Sequence, residues 1–236
     1  MAIIAIEAYH TPEITREMNI HRRTLRLFPA LLLLSCVAGL CGAQDQKKIS
    51  YALFLDNSGS MRSQFDQVTA IGKGVMRQIQ KRGPVSIFNF TTQGRLQDAR
   101  AVVTRRLEET QDQDRLEQTI DNFYVIGGQT TLLDAISVIN DGFDQTADDA
   151  AERVIILITD GEDRKSQISA ATLIQKLKQS KTKVFAVGMV RALSSRSKAE
   201  SLLKHLTKET GGRVVFTNSD QVDLQQLIST LGIDTP

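Results

Sequence analysis

Cysteine is nearly absent from this chain of 236 residues, and the two present, Cys36 and Cys41, both fall in an apolar segment near the N-terminus. If that segment is removed on export, the remaining domain has no disulfide and must rely on its core alone. Histidine is equally scarce. His10 and His21 lie in the same N-terminal region, and His205 sits mid-helix between Lys204 and Leu206, the place of a surface or half-buried residue. No Gly-x-Ser-x-Gly elbow occurs, so a serine hydrolase lacks both its nucleophile turn and its base. No Gly-x-x-x-x-Gly-Lys-Ser/Thr loop is present, which removes the usual cradle for nucleoside triphosphates. The formal charge of +2 is close to balance and no long block of one sign stands out, so nucleic acid and anionic membrane surfaces have no electrostatic support as partners. Arg95, Arg100, Arg105 and Arg106 are interleaved with Asp98, Glu108 and Glu109, which reads as a solvated hairpin face.

Residues 1–43 read as a leader. Met18 to Arg26 is basic, Leu27 to Leu40 is apolar and rich in leucine, and small residues at Cys41-Gly42-Ala43 precede the polar run Gln44 to Lys48. That order is a secretory signal peptide with cleavage after Ala43. The apolar part is shorter than the ~20 residues of a spanning helix. Residues 1–17 hold no basic region of their own, which points to a true start at Met18. Leu33-Leu34-Ser35-Cys36 resembles a bacterial lipoprotein cleavage box with a poor third position, the alternative in which a lipid on Cys36 anchors the domain. The expected location is a bacterial periplasm, the cell envelope or the medium, with membrane attachment only through such an N-terminal anchor.

What remains, residues 44–236, suits one domain, and a chain of 236 residues that is 41% hydrophobic can fill its core. Apolar runs and helical periodicities alternate. Strands are expected at Ile49–Leu55, Val85–Phe90, Arg153–Thr159, Lys183–Gly188 and Arg213–Phe216, with an edge strand from Leu96 to Arg105 after a turn at Gln93-Gly94. Helices are expected at Gln64–Gln80, Asp112–Phe123, after Thr130, through Ile168 to Leu177, at Lys198–Glu209 with a left-handed cap at Gly211-Gly212, and from Val222 to Leu231. The pattern predicts an α/β fold: a doubly wound, mostly parallel sheet with one antiparallel edge strand and helices on both faces. In such sheets ligands bind beyond the carboxyl ends of the strands.

Three segments place oxygen donors there. Asp56-Asn57-Ser58-Gly59-Ser60 follows Tyr51-Ala52-Leu53-Phe54-Leu55; Thr130-Thr131 follows Gly127-Gly128-Gln129; Asp160-Gly161-Glu162-Asp163 follows the run ending at Thr159. Carboxylates and hydroxyls are hard donors of the kind Mg²⁺ takes. Each segment alone is also ordinary turn or capping chemistry, with Thr130 a helix N-cap and Asp160 a turn residue. Two carboxylates arriving from separate loops would repel unless a cation lay between them.

In order and spacing the three segments resemble the metal-ion-dependent adhesion site of the von Willebrand factor type A family, the integrin I-like fold, over Lys48 to about Ile233. The resemblance implies a complete ligand set of Asp56, Ser58, Ser60, Thr130 and Asp160, with Thr130 preferred to Thr131 because it follows the Gly-x pair Gly128-Gln129. It implies Mg²⁺, with Mn²⁺ or Ca²⁺ as alternatives, and an open coordination position for an acidic residue of a partner protein. On this reading the domain is a binding module and not an enzyme. Two alternatives stand beside it: a metal-dependent hydrolase whose base is Glu162 or Asp163, and a metal-braced structural subunit of an envelope complex. The Glu162-Asp163 pair reads first as a cap on the helix that follows it.

Overall fold

The continuous apolar runs form the centre of a six-stranded sheet because residues alternating along each strand can then be buried on both faces. The computed structural model describes residues 48–93, 100–127, 130–146, 151–189, 196–217 and 223–233. The expected leader with its Met18 start and Cys36 anchor, Gly94 of the expected turn, Gly128-Gln129 and Val222 lie outside the described residues. The strands are β1 (Ile49–Leu55), β2 (Val85–Gln93), β3 (Arg100–Thr110), β4 (Glu152–Thr159), β5 (Thr182–Met189) and β6 (Val214–Thr217). They lie in the order β3-β2-β1-β4-β5-β6. Every neighbouring pair is parallel except β2 with β3, the antiparallel edge.

Six α-helices are described: α1 (Phe65–Ile79), preceded by a 3₁₀ turn at Gly59–Gln64, α2 (Gln113–Asp121), α3 (Leu132–Thr146), α4 (Ala170–Gln179), α5 (Arg196–Glu209) and α6 (Leu224–Leu231). Leu53 and Leu55 of β1 and Ile156 and Ile158 of β4 share one core with Val68 and Val75 of α1, Leu116 of α2 and Ile228 of α6. Ala52, Phe54, Ile155 and Leu157 share the other with Ile136 of α3, Leu173 of α4 and Leu206 of α5. The central strands are thus covered on both sides, as their uninterrupted apolar runs require.

Two boundaries differ from expectation for physical reasons. The edge strand runs on to Thr110, beyond the expected end at Arg105, because its ladder with β2 continues from Gln93↔Arg100 to Val85↔Thr110; the expected start at Leu96 lies outside the described residues. Its own polar pattern carries little register information. The helix after β4 begins only at Ala170, where the Ser169 hydroxyl accepts from the Thr172 amide. The preceding turn is held by the Asp134 carboxylate, which accepts from the amides of Gln167 and Ile168.

The cap expected at Gly211-Gly212 divides between two glycines with different needs. Gly211 takes φ +80° with open space around an added Cβ, whereas a Cβ on Gly212 would stand 1.9 Å from the Val184 carbonyl oxygen. Gly211→Ala is therefore expected to cost about 1 kcal/mol, the left-handed penalty alone, and Gly212→Ala roughly 2–3 kcal/mol because β5 must move. Urea melts of the two variants check the order; equal losses would contradict it.

Candidate functional site

Leu55 pairs with Ile158 in the β1–β4 ladder, so the chain leaves two adjacent parallel strands side by side. The next residue, Asp56, donates its amide to the Ile158 carbonyl at 2.9 Å, and Asp160 follows β4 just beyond. Here the strand order reverses, since the connection from β1 runs to β2 on one side while β4 lies on the other. The mouth at such a reversal is where open α/β sheets bind ligands.

Asp56 is fully buried. Its Oδ1 accepts from the Ser58 amide at 3.0 Å and its Oδ2 from the Thr159 hydroxyl at 2.7 Å. The Thr159 oxygen in turn accepts from the Gly161 amide at 3.0 Å. Asp160 is half-buried and its Oδ1 accepts from the Glu162 amide at 2.9 Å, with Gly161 at φ +76° making the tight turn. The Ser58 and Ser60 hydroxyls lie 3.0 Å apart, and the Ser60 side chain also bonds Asp160. Asp56, Ser58, Ser60 and Asp160 are thus brought into one cluster, buried at Ser58 and open to solvent at Ser60.

Burial, then the neighbouring Asp160 charge, pushes the Asp56 carboxyl up from 3.8 to about 6, against the opposing bonds from Thr159 and Ser58. Burial also raises the Asp160 carboxyl, against the Ser60 hydroxyl and the Glu162 amide. Amide and hydroxyl donors thus meet Asp56 and leave its charge largely uncompensated. Among the described residues, no three carboxylate, imidazole or thiol side chains gather in a way that could hold a metal. A cation at this cluster would therefore be held by two carboxylates and otherwise by neutral oxygens, a donor set within the range Mg²⁺ accepts.

Thr130 is buried, and its carbonyl accepts from the Arg164 amide at 3.0 Å, which ties its loop to the loop of Asp160. The first turn of α3 closes on the Thr131 carbonyl, so Thr131 and not Thr130 takes the position before the helix. Asp163 does not cap the helix that follows it. Its Oδ1 accepts from the Leu133 amide at the start of α3 and from the Ser166 hydroxyl, because the β4–α4 loop folds back over α3. Glu162 pairs with Arg164 at 2.6 Å.

Two residues were not singled out from the sequence. Thr159 was read only as the end of a strand, yet its hydroxyl is the bridge between the two acidic loops. A hydroxyl closing an otherwise apolar run just before Asp160 was the available signal. Asn57, buried between two residues of the cluster, spends its side chain on backbone: Nδ2 donates to the carbonyls of Phe90 and Tyr124 at 3.0 and 2.9 Å, and Oδ1 accepts from the Phe90 amide at 2.8 Å. Its own carbonyl accepts from the Ile126 amide at 2.8 Å.

Two expectations result. Asn57→Ala strands three backbone groups and should cost roughly 3 kcal/mol, read as a lowered urea midpoint; an unchanged midpoint would show that water replaces the side chain freely. Because Asp56 is raised, the folded chain keeps a proton between pH 3.8 and about 6 that the unfolded chain releases. Asp56 therefore supports folding best below that window and progressively less as pH rises through 6. In chelator, Asp56→Asn should exceed the wild type in stability at pH 7, by on the order of 2 kcal/mol, and the difference should shrink toward pH 4. Parallel stability curves from pH 4 to 7 would refute this.

Comparison with known proteins places the fold. A model of the von Willebrand factor type A domain matches residues 52–230. Among solved structures, conserved hypothetical protein BatB from Bacteroides thetaiotaomicron is 15% identical with a TM-score of 0.58, over 78% of this chain and 97% of that one. The manganese-loaded TRAP protein of Plasmodium vivax is 15% identical with a TM-score of 0.58, over 78% of this chain and 72% of that one. The pilus adhesin SpaC of Lactobacillus rhamnosus GG is 14% identical with a TM-score of 0.57, over 80% of this chain and 30% of that one. At these identities the likeness speaks for the fold alone. No curated protein sequence matches the chain at comparable significance. The matched span runs from β1 into α6 and includes both acidic loops, and on it the chain belongs to the von Willebrand factor type A domain family.

Proposed function

We propose that this domain captures a partner protein through a divalent cation held by Asp56, Ser58, Ser60, Thr130 and Asp160, the partner completing the coordination with an Asp or Glu carboxylate. The observation that carries this reading is the fully buried Asp56 carboxylate, raised to about 6 beside Asp160 and met by amide and hydroxyl donors. A divalent ion supplies the missing positive charge. Because the serine and threonine hydroxyls add no negative charge, the ion stays electrophilic and gains from one more anionic oxygen. Mg²⁺ fits this donor set, with Mn²⁺ or Ca²⁺ as alternatives. A structure of similar fold is manganese-loaded and another is a pilus adhesin, which lends the reading support.

Export belongs to the same proposal. The segment up to residue 43, read from Met18 as its start, acts as a leader, and the domain from residue 44 onward works in the periplasm, at the cell envelope or outside, with lipid on Cys36 as the anchored alternative. An aerotolerance-related membrane protein from Bacteroides fragilis shares the fold. Among the described residues no helix is long and apolar enough to cross a membrane. The hydrolase alternative is weakened by its own candidates for a base: Asp163 is engaged by the Leu133 amide and the Ser166 hydroxyl, and Glu162 by Arg164.

Titration calorimetry of Mg²⁺ and Mn²⁺ into the chelator-stripped chain tests the proposal. Saturable binding by the wild type, and none by folded Asp56→Ala, is the expected result. An ion at one hundred times its Kd should also raise stability by about 2.7 kcal/mol. No heat and no stabilisation in the wild type would overturn the cation site; stabilisation without any gain in partner affinity would leave the ion as a brace.

A further inference from the structure

A cavity of about 830 Å³ lies between α5 and the segment that follows β4. It originates in the hydrogen bonds of that segment. α5 packs on Gly161, where an added Cβ would stand 2.9 Å from Cδ1 of Leu203 and 3.2 Å from the Ala199 carbonyl oxygen. Beyond that point the chain is drawn toward α3: Asp163 accepts from the Leu133 amide, and Asp134 accepts from the amides of Gln167 and Ile168. Helix α4 begins only at Ala170, and the detour before it leaves the cavity between itself and α5.

Leu133, Ala170 and Leu202 give the cavity an apolar wall, and the exposed Arg164, Lys198 and His205 line it as well. Lys198, Leu202 and His205 recur at helical spacing and share one side of α5. The two acids of the lining are engaged, Glu162 by Arg164 at 2.6 Å and Asp163 by the Leu133 amide and the Ser166 hydroxyl. Lys198 makes no ion pair among the described residues. Its surroundings carry the same sign. From Arg164 to Arg213 the sequence holds twelve Lys and Arg against two Glu, and those two pair with Lys204 at 3.6 Å and Lys178 at 2.5 Å. The cations are scattered along the sequence, and α4 and α5 carry several of them on one side of the sheet because both helices pack on the same core. A cavity of about 310 Å³ at the amino ends of the strands contrasts with this, since its cations are spent: Arg82 on the Ile233 carbonyl, Lys183 on Glu152 and Arg213 on the Thr230 carbonyl.

We infer that the larger cavity binds a small amphipathic carboxylate, its chain against Leu133, Ala170 and Leu202 and its headgroup on Lys198. The volume falls within the range of small-molecule sites. Burial of an apolar chain supplies the drive. A carboxylate on the Lys198 ammonium adds a charge-assisted bond that a neutral or cationic headgroup cannot make. The site is separate from the acidic cluster and needs no metal ion, since none of Asp56, Ser58, Ser60, Thr130 and Asp160 lines it.

Titration calorimetry of decanoate, decanol and decyltrimethylammonium into the chain, in EDTA and again in Mg²⁺, tests the inference. Decanoate should bind saturably in both buffers, about tenfold or more tighter than either analogue. Lys198→Glu should lose about tenfold or more in decanoate affinity, and Leu202→Trp, which fills the cavity, should abolish binding. Lys198 is exposed, so its variant carries the test even if Leu202→Trp does not fold. Equal affinity for the three headgroups, or decanoate binding unchanged in Lys198→Glu, would overturn the site. Decanoate bound only in Mg²⁺ and lost in Asp56→Ala would put the carboxylate on the cation, overturning the cavity site while supporting the cation reading. No decanoate binding in either buffer would overturn the cavity site and leave the cation reading untouched.

Discussion

Two carboxylates at the adjoining ends of parallel strands, one of them without contact to solvent, set the terms for everything around them. Burial and mutual repulsion both favour a protonated Asp56. The sheet brings the pair together nevertheless, because β1 and β4 are in direct register and neither strand can slip without moving its apolar residues to the wrong core. The hydrophobic order of the sheet therefore holds in place an electrostatic arrangement that is unfavourable by itself. Stored conflict of this kind is typical of binding sites.

The loops that hold the carboxylates are organised by side-chain bonds to backbone. Thr159 links the turn after β4 to Asp56. Asn57 links the turn after β1 to β2 and to the segment before α3. Asp163 and Asp134 then cross between the β4–α4 loop and the start of α3, each accepting backbone amides from the other's segment. The result is a mouth built from three separate loops in which few backbone groups are left to chance. Such preorganisation limits what must be ordered when a cation or partner arrives.

The central strands and most helices were legible because their apolar patterns are long and local. Ile49–Leu55 was read with its observed bounds, and the parallel strands at 85, 153 and 183 were found to within a few residues at each end. The edge strand was ended too early, at Arg105 instead of Thr110, because a charge-rich strand is positioned by its partner's hydrogen bonds and not by its own pattern. The capping of α3 by Asp163 was assigned to the wrong helix because capping between distant segments leaves no periodic trace. Thr159 and Asn57 escaped notice for the same reason: each acts on residues far away in the chain.

By itself, the order of residues determined the alternation of strands and helices, the class of sheet, and which carboxylates and hydroxyls stand at strand ends, since these depend on composition over short windows and on turn chemistry. Only the tertiary structure decided that β1 and β4 are neighbours, that Asp56 is wholly buried against the Asp160 charge, and that Asn57 ties its turn to the backbone at Tyr124. These are facts of adjacency. They arise when helices cover both faces of the sheet and bring together loops roughly thirty to one hundred residues apart.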